Sequence, residues 1–143
     1  MDVALEVITP DRVVLRTQVT MVSLRGGGGE LGILARHTPL STTVKPGIVK
    51  LKLPQGEDFL AVASGFLQVV PDRITLLVDT AEVGSQIETE RAQRARERAE
   101  KRLAEGGPDV DMVRAQAALE RAMRRLEVSE MSAVNGEILK QLL

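Results

Sequence analysis

Glycine and proline are distributed unevenly along this 143-residue chain, and that asymmetry constrains its fold more than any other feature. Nine of the twelve glycines and five of the six prolines precede residue 85, while residues 86–105 contain neither and are rich in Ala, Arg and Glu. Gly and Pro punctuate short strands, whereas Ala, Arg and Glu favour helices. The sequence therefore predicts a strand-rich domain over residues 1–84 and a helical domain over residues 85–143.

The first domain shows the two-residue period of half-buried strands. Large apolar side chains alternate with small or charged ones over residues 3–7 and 49–53. Further candidate strands, separated by turn signals such as Pro46-Gly47 and Pro71-Asp72, cover residues 13–22, 59–63, 66–70 and 74–78. Many short strands at this spacing favour an antiparallel β-sandwich or a barrel. Because no helix-length segment interrupts them, a parallel α/β sheet is disfavoured.

The second domain shows apolar residues three and four apart in two stretches, which predicts two helices. The stripes are Ala92, Ala95, Ala99 and Leu103, then Met112, Ala115, Leu119, Ala122 and Leu126. Gly106 suits the end of the first helix, and Pro108 with Asp109 suits the start of the second. The expected fold class is α+β, a β-sandwich followed by an antiparallel two-helix hairpin. Its mostly alanine seam buries little area, so we expect it to open or change partners easily.

Composition excludes several classes of protein. The formal net charge is −1, without the basic excess of a nucleic-acid binder, and Phe59 and Phe66 are the only aromatic residues. The absence of cysteine excludes disulfides and thiolate metal sites. The longest uncharged run, residues 59–71, falls short of the roughly 18 residues that a membrane span needs. Membrane association is therefore expected only through a partner.

No motif indicates catalysis. Residues 27–32 fit the GxGxxG dinucleotide pattern, but Pro39 disfavours the helix that should follow, so a flexible hairpin loop is expected. His37 is the only histidine and has no second histidine with which to form a common zinc site. Asp109 and Asp111 are explained by helix capping. We therefore expect a non-catalytic protein with no metal site.

Arginines crowd both predicted helices and permit two interpretations. Arg91 with Arg98, and Arg121 with Arg125, are spaced to share one face of their helix. Across a hairpin they could converge on a polyanion such as a nucleoside triphosphate, or meet an acidic segment of a partner. The alternative is an ordinary solvated surface stabilised by i,i+4 ion pairs.

Several stretches resemble one family. Residues 30–34 (Glu-Leu-Gly-Ile-Leu) and 37–40 (His-Thr-Pro-Leu), with the runs at 44–47, 64–69, 79–82, 96–103 and 118–126, are similar to those of bacterial F-type ATP synthase ε subunits. The resemblance covers nearly the whole chain. It departs from the usual Pro-Gly at Ala35-Arg36, and it assigns no role to residues 131–143.

This resemblance implies a non-catalytic rotor subunit of a proton-translocating ATP synthase, peripheral on the cytoplasmic face of the cell membrane. It implies contacts with the γ subunit, the c-ring and the catalytic α and β subunits, with Glu30 near the c-ring and His37 near γ. The hairpin is expected to extend along γ and oppose ATP hydrolysis. The expected inhibitory basic face comprises Arg94, Lys101, Arg102, Arg114 and Arg124.

The resemblance also implies regulatory ATP as the only candidate cofactor. Some relatives bind ATP through I/L-D-x-x-R-A, and residues 87–92 match it except that glutamate replaces the aspartate. The implied contact residues are Glu82, Ile87, Glu88, Arg91, Ala92, Arg98, Arg121 and Arg125. The longer Glu88 side chain predicts weaker binding than Asp. The alternative function is a free-standing ATP-sensing binding module, and an independent enzyme is disfavoured because no nucleophile–base or metal set is present.

Overall fold

The computed structural model describes residues 1–134, so most of the segment 131–143 lies outside the described residues. Ten strands precede two helices in this part of the chain. The strands are β1 (Val3–Ile8), β2 (Val13–Val19), β3 (Met21–Gly26), β4 (Gly29–Leu34), β5 (Leu40–Val44), β6 (Gly47–Leu53), β7 (Gly56–Val62), β8 (Gly65–Val70), β9 (Arg73–Val78) and β10 (Ala81–Val83). A 3-10 turn at Gly84–Gln86 leads to α1 (Thr89–Glu105) and α2 (Met112–Val134).

The strands form one hydrogen-bonded path that wraps around a single apolar core. Its order is β10-β7-β6-β3-β5-β8-β9-β1-β2, with β4 paired to β3. These neighbours are antiparallel except for β1 and β9, which run parallel. Alternating residues of each strand fill the core, including Leu5, Leu51, Leu60, Ile74 and Leu76 at 0–2% exposure. The predicted sandwich is therefore confirmed, with one parallel pair that the sequence did not indicate.

The structure corrects two local expectations. The predicted strand over residues 13–22 is two strands, β2 and β3, separated at Thr20. There the chain leaves the pairing with β1, and the Thr20 backbone N–H donates to the Lys52 carbonyl at 2.7 Å. The glycine-rich loop is shorter than expected, because Gly26 already pairs with Gly29 and only Gly27 and Gly28 form the turn. The strands β4, β5 and β10 were not predicted.

The predicted helical hairpin is present, with its alanine seam buried. Ala92 and Ala99 of α1 and Ala115 and Ala122 of α2 are each at most 4% exposed. The Thr89 and Ser129 hydroxyls lie 3.0 Å apart, so the start of α1 meets the end of α2. This contact shows the antiparallel arrangement.

The hairpin ends differ slightly from the sequence prediction. Helix α1 ends at Gly106, whose φ of 59° belongs to the left-handed region that glycine tolerates. Helix α2 begins only after Asp111, whose Oδ1 accepts a hydrogen bond from the Arg114 backbone N–H at 3.1 Å. Pro108 and Asp109 form a preceding turn. The cap is therefore Asp111, because its carboxylate reaches a free amide of the first helical turn.

The hairpin lies folded against the sandwich. A small apolar cluster joins the two parts and consists of Phe59, Ala61, Ile87, Ala92, Leu126 and Val128, with Ile48 and Met131 at its margin. Two polar contacts accompany it, one between Ser132 and Asp58 and one between Arg125 and Glu82. This interface is separate from the main core of the sandwich.

Candidate anion-binding groove and partner surfaces

A groove runs along the seam of the hairpin, and arginines line it. The small alanine side chains let the helices approach closely, and the longer side chains beside them border the seam. A cavity of about 150 Å³ is bordered by Arg98, Arg102, Arg121 and Arg125, with alanines as its walls. The structure thus brings together three of the four arginines that the sequence singled out by spacing.

The groove continues toward the hairpin tip. A second cavity of about 590 Å³ shares Arg102 and Arg121 with the first and adds Arg114, Asp109 and Asp111. We call the two cavities together the seam groove. Together they contain three candidate ATP contacts (Arg98, Arg121 and Arg125) and two residues of the expected inhibitory face (Arg102 and Arg114).

Arg125 is held at the sandwich end of the seam groove by Glu82. Its Nη2 donates to Glu82 Oε2 at 3.0 Å, and its Nε lies 2.7 Å from Oε1. The two side chains are 20% and 37% exposed, so solvent screens the pair only in part. Glu82 is therefore already paired with the guanidinium group that an anion bound in the groove would need.

The remaining residues of the expected ATP motif lie outside the groove lining. Ile87 and Ala92 are buried by the apolar cluster and the helix seam at 7% and 0% exposure. Glu88 precedes α1 as its N-cap residue without a side-chain capping bond. Arg91 is exposed. In this folded state, the structure does not bring the motif together with Arg98, Arg121 and Arg125.

The expected basic face is divided among different surfaces. Arg102 and Arg114 line the seam groove. Arg94 and Lys101 are exposed, with the Lys101 ammonium 3.9 Å from Glu105. Arg124 instead borders a cleft of about 760 Å³ between α2 and strands β3, β4 and β6. One face carrying all five residues does not exist in this arrangement.

Glu30 and His37 lie in the sandwich. Glu30 is exposed on β4 beside the two-residue turn, opposite Arg25 of β3, and borders the cleft that also contains Arg124. His37 is half-buried, and its Nδ1 lies 2.7 Å from the Thr38 carbonyl oxygen. Just before it, Arg36 has a φ of 61°, the left-handed conformation that favours glycine.

An exposed apolar groove lies elsewhere on the sandwich, and sequence analysis missed it. Phe66 of β8 and Leu77 of β9 are cross-strand partners that remain 61% and 41% exposed. They border a cavity of about 580 Å³ with Pro10, Thr43 and Val78, among others. We call this surface the Phe66 groove. Its sequence signal was a large apolar residue at an outward-facing strand position.

Residues 1–134 contain no cluster of three His, Cys, Asp or Glu side chains suited to a metal ion. Within the same range, neither helix combines the length and the apolar character required to cross a bilayer.

Comparison with known proteins gives the class to which this β-sandwich with an arginine-lined helical hairpin belongs. A family model described as the ATP synthase delta/epsilon-chain β-sandwich domain matches residues 2–84, and the long α-helix domain of the same chain matches residues 85–130. The ATP synthase epsilon chain of Halalkalibacterium halodurans is 50% identical over 97 residues, 68% of this chain and 73% of the relative. That of Brevibacillus brevis is 48% identical over 101 residues, 70% and 76% of the two chains.

Solved structures show the same fold at low sequence identity. A chain in the cryo-EM structure of the Euglena gracilis mitochondrial ATP synthase matches with a TM-score of 0.62 and 23% identity, over 93% of this chain and 81% of that one. A chain in the central stalk and c-ring structure of the Tetrahymena thermophila enzyme matches with a TM-score of 0.54 and 10% identity, over 92% and 96%. The chain therefore belongs to the ATP synthase epsilon-chain family, whose members are non-catalytic subunits.

Proposed function

We propose that this chain works in the central stalk of an F-type ATP synthase, where its sandwich attaches to the γ subunit and c-ring and its hairpin restrains ATP hydrolysis. The observation that carries this proposal is the weakness of the hairpin's attachment compared with the sandwich core. Within residues 1–134, alanines form the buried seam between the helices, and the contacts with the sandwich include one small apolar cluster and the polar pairs Arg125–Glu82 and Ser132–Asp58. An element held so lightly can exchange between two arrangements that partners bias.

The Phe66 groove supports attachment of the sandwich to γ. Phe66 and Leu77 are adjacent and exposed, and contiguous exposed apolar side chains are a feature of protein interfaces. The expected c-ring contact at Glu30 lies on a tight, exposed β-hairpin, which suits contact with short loops. Through these partners the chain is proposed to lie peripherally on the cytoplasmic face of the membrane.

The seam groove supports a regulatory ligand such as ATP. A nucleotide held by arginines of both helices would stabilise the folded hairpin in proportion to its affinity for that arrangement. The free-standing ATP-sensing module is the alternative function that the same groove permits. The two differ in partner binding, because a free sensor would be washed from membranes that retain the rest of the complex.

The test is ATP hydrolysis by the reconstituted soluble catalytic complex. A chain truncated after Gly84 is expected to bind γ and to permit faster hydrolysis than the full chain. Because truncation uncovers Phe59 and Ala61, a second variant is needed in which the interface stays intact.

Thr89→Cys with Ser129→Cys provides that variant, since the two hydroxyl oxygens lie 3.0 Å apart and the chain has no other cysteine. Oxidation would tie the helices in the folded arrangement, and reduction of the same sample is the matched control. Oxidised complex is expected to hydrolyse ATP faster than reduced complex. Equal rates in the oxidised, reduced and truncated complexes would reject inhibition by the hairpin.

A further inference from the structure

We infer that residues 137–143, which follow the described part of the chain, cover the outer face of strands β6, β3 and β4 and so strap the hairpin to the sandwich. This inference goes beyond the proposed function and does not depend on whether the hairpin restrains ATP hydrolysis. Three observations identify a segment of this same chain as the occupant of that face.

The open face is the first observation. On the outer side of β7, Phe59 and Ala61 are buried at 5% and 7% exposure in the cluster that α2 forms with the sandwich. The same side of the sheet continues over β6, β3 and β4, where cross-strand neighbours form one row: Lys52, Met21 and Leu34. This row faces outward, because successive residues of a strand alternate in direction and the adjacent residues fill the core at 0% exposure: Leu51, Val22 and Ile33.

Two of the three side chains in this row are apolar. Leu34 is 56% exposed, and its partner Met21 lies across Gly32, where an added Cβ would overlap the Met21 Cε. Side chains that are directly opposite each other on paired strands are in contact distance, so Met21 and Leu34 form one apolar patch. Met21 also borders the cleft of about 760 Å³ between α2 and these strands. A contiguous apolar patch beside an open cleft indicates a surface that another segment covers.

The place where α2 ends is the second observation. Ser132, in the last turn of α2, donates to Asp58 of β7, and the preceding residue Glu57 is the cross-strand partner of Lys52. The helix therefore ends beside one end of the outward row. From β7 to β4 the row crosses three strand spacings, about 14 Å. Residues 135–143 can extend to about 30 Å, so they are long enough to follow the row to Leu34.

The residues that follow α2 are the third observation. Asn135-Gly136 comes first, and this dipeptide favours a turn that would redirect the chain. Glu137 is next, followed by four large apolar residues: Ile138, Leu139, Leu142 and Leu143. A chain that leaves α2 along the row meets Lys52 first and then the apolar patch, which is the same order.

The charges on the face agree with this placement. Lys50 lies 3.3 Å from the Glu57 carboxylate, whereas no carboxylate of residues 1–134 is within ion-pair distance of Lys52. Glu137 can therefore pair with Lys52 without displacing another partner. Such an exposed pair adds little affinity by itself, and burial of the apolar side chains supplies most of the attraction.

The first test is the alkylation rate of a thiol on the open face. Leu34→Cys introduces the only cysteine of the chain at an exposed position. We expect it to react about five- to tenfold more slowly in the full chain than in a chain truncated after Val134, because the covering segment must open first. Gln68→Cys is exposed on β8 and is the matched control, with equal rates expected in the two chains.

The second test leaves residues 1–134 and the length of the chain unchanged. Replacement of Ile138, Leu139, Leu142 and Leu143 by serine in the Leu34→Cys chain is expected to restore the fast alkylation of the truncated chain. Lys140→Ser with Gln141→Ser is the polar control and should keep the reaction slow. Circular dichroism would establish that both variants retain the fold.

Two results would overturn the inference. Equal alkylation rates of Leu34→Cys in the full and truncated chains would show that the segment does not cover this face. Protection that increases with protein concentration, together with a dimer in analytical ultracentrifugation, would make a second copy of the chain the occupant. Neither result affects hairpin inhibition, which the hydrolysis assay of the Thr89→Cys, Ser129→Cys variant decides separately.

Discussion

Ser132 Oγ donates a hydrogen bond of 2.7 Å to Asp58 Oδ1, and both residues have 0% exposure where helix α2 meets strand β7. The same carboxylate oxygen accepts the Phe59 backbone N–H at 2.7 Å. Gly84 lies against this pair so closely that a Cβ there would overlap Ser132 Oγ. A buried polar contact therefore sets how the end of the hairpin sits on the sandwich, because a carboxylate at that depth needs hydrogen-bond donors for its oxygens.

Replacing Ser132 with alanine is expected to loosen the hairpin. The substitution removes a donor from a fully buried carboxylate and should cost about 1–3 kcal/mol of docking free energy. Hydrogen exchange of α2 amides would report it as faster local opening. Ser129→Ala is the matched control. Because Ser129 is less buried, its replacement should lower the docking free energy by no more than about 0.5 kcal/mol. Equal exchange in the two variants would contradict the importance of the buried bond.

Gly84→Ala should displace the hairpin for a steric reason. The added methyl group would overlap Ser132 Oγ and approach the Val128 carbonyl oxygen to 2.9 Å, so a cost of about 1–3 kcal/mol is expected. Gly28→Ala meets no heavy atom within 4 Å and serves as the control. Urea unfolding and amide exchange would compare them. Equal stability of the two variants would show that the sandwich and α2 can separate at no cost.

Arg36→Gly is expected to stabilise the sandwich. Arg36 adopts a φ of 61°, which disfavours a side chain, and its N–H donates to the Pro71 carbonyl at 3.1 Å, so the turn cannot relax freely. Relief of that strain, less the entropy of glycine, should add about 0.5–1 kcal/mol. Thermal unfolding would measure the change. Arg36→Ala keeps the strain and should show no gain, and a similar gain there would assign the effect to the lost charge instead.

Glu82→Gln should strengthen anion binding while weakening docking. The substitution frees the Arg125 guanidinium from its carboxylate partner, so ATP affinity is expected to rise about two- to fivefold. Because the pair is partly exposed, the loss of stability should stay below about 1 kcal/mol. Titration and thermal unfolding would check both effects. An unchanged affinity would mean that Arg125 takes no part in anion binding.

Phe66→Ser should impair γ binding without disturbing the fold. The side chain is 61% exposed, so its removal leaves no cavity in the core. As an aromatic anchor it is expected to contribute about tenfold or more to affinity. Pull-down with purified γ would measure this. Val13→Ser, at another exposed apolar position, is the control, and His37→Ala tests the second proposed contact. Full binding by Phe66→Ser would exclude this groove from the interface.

Local patterns in the sequence predicted much of the fold. Alternation over residues 49–53 and the alanine spacing in both helices reflect periods of two and 3.6 residues, which adjacent side chains alone can reveal. Gly106 marked a helix end because left-handed φ suits glycine. The strand β4 was not predicted because its glycines suggested a loop. It forms a strand because it pairs with β3, and local sequence does not reveal that pairing.

The candidate site was predicted in part. Spacing placed Arg121 and Arg125 on one helix face, and both border the seam groove with Arg98. Spacing could not show that Ile87 would be buried against Phe59, since those residues are distant in sequence and meet only when the hairpin docks. For the same reason, the partnership of Glu82 with Arg125 was not foreseen.

The sequence by itself determined the strand-rich first part, the helical hairpin and the alanine seam, because each depends on residues near one another along the chain. Only the tertiary structure decided the parallel pairing of β1 with β9, the burial of Ser132 on Asp58 and the grouping of arginines from both helices along the seam groove. These features join residues far apart in sequence, and the burial of apolar surface that brings them together is non-directional. Their geometry therefore depends on the packing of the whole molecule.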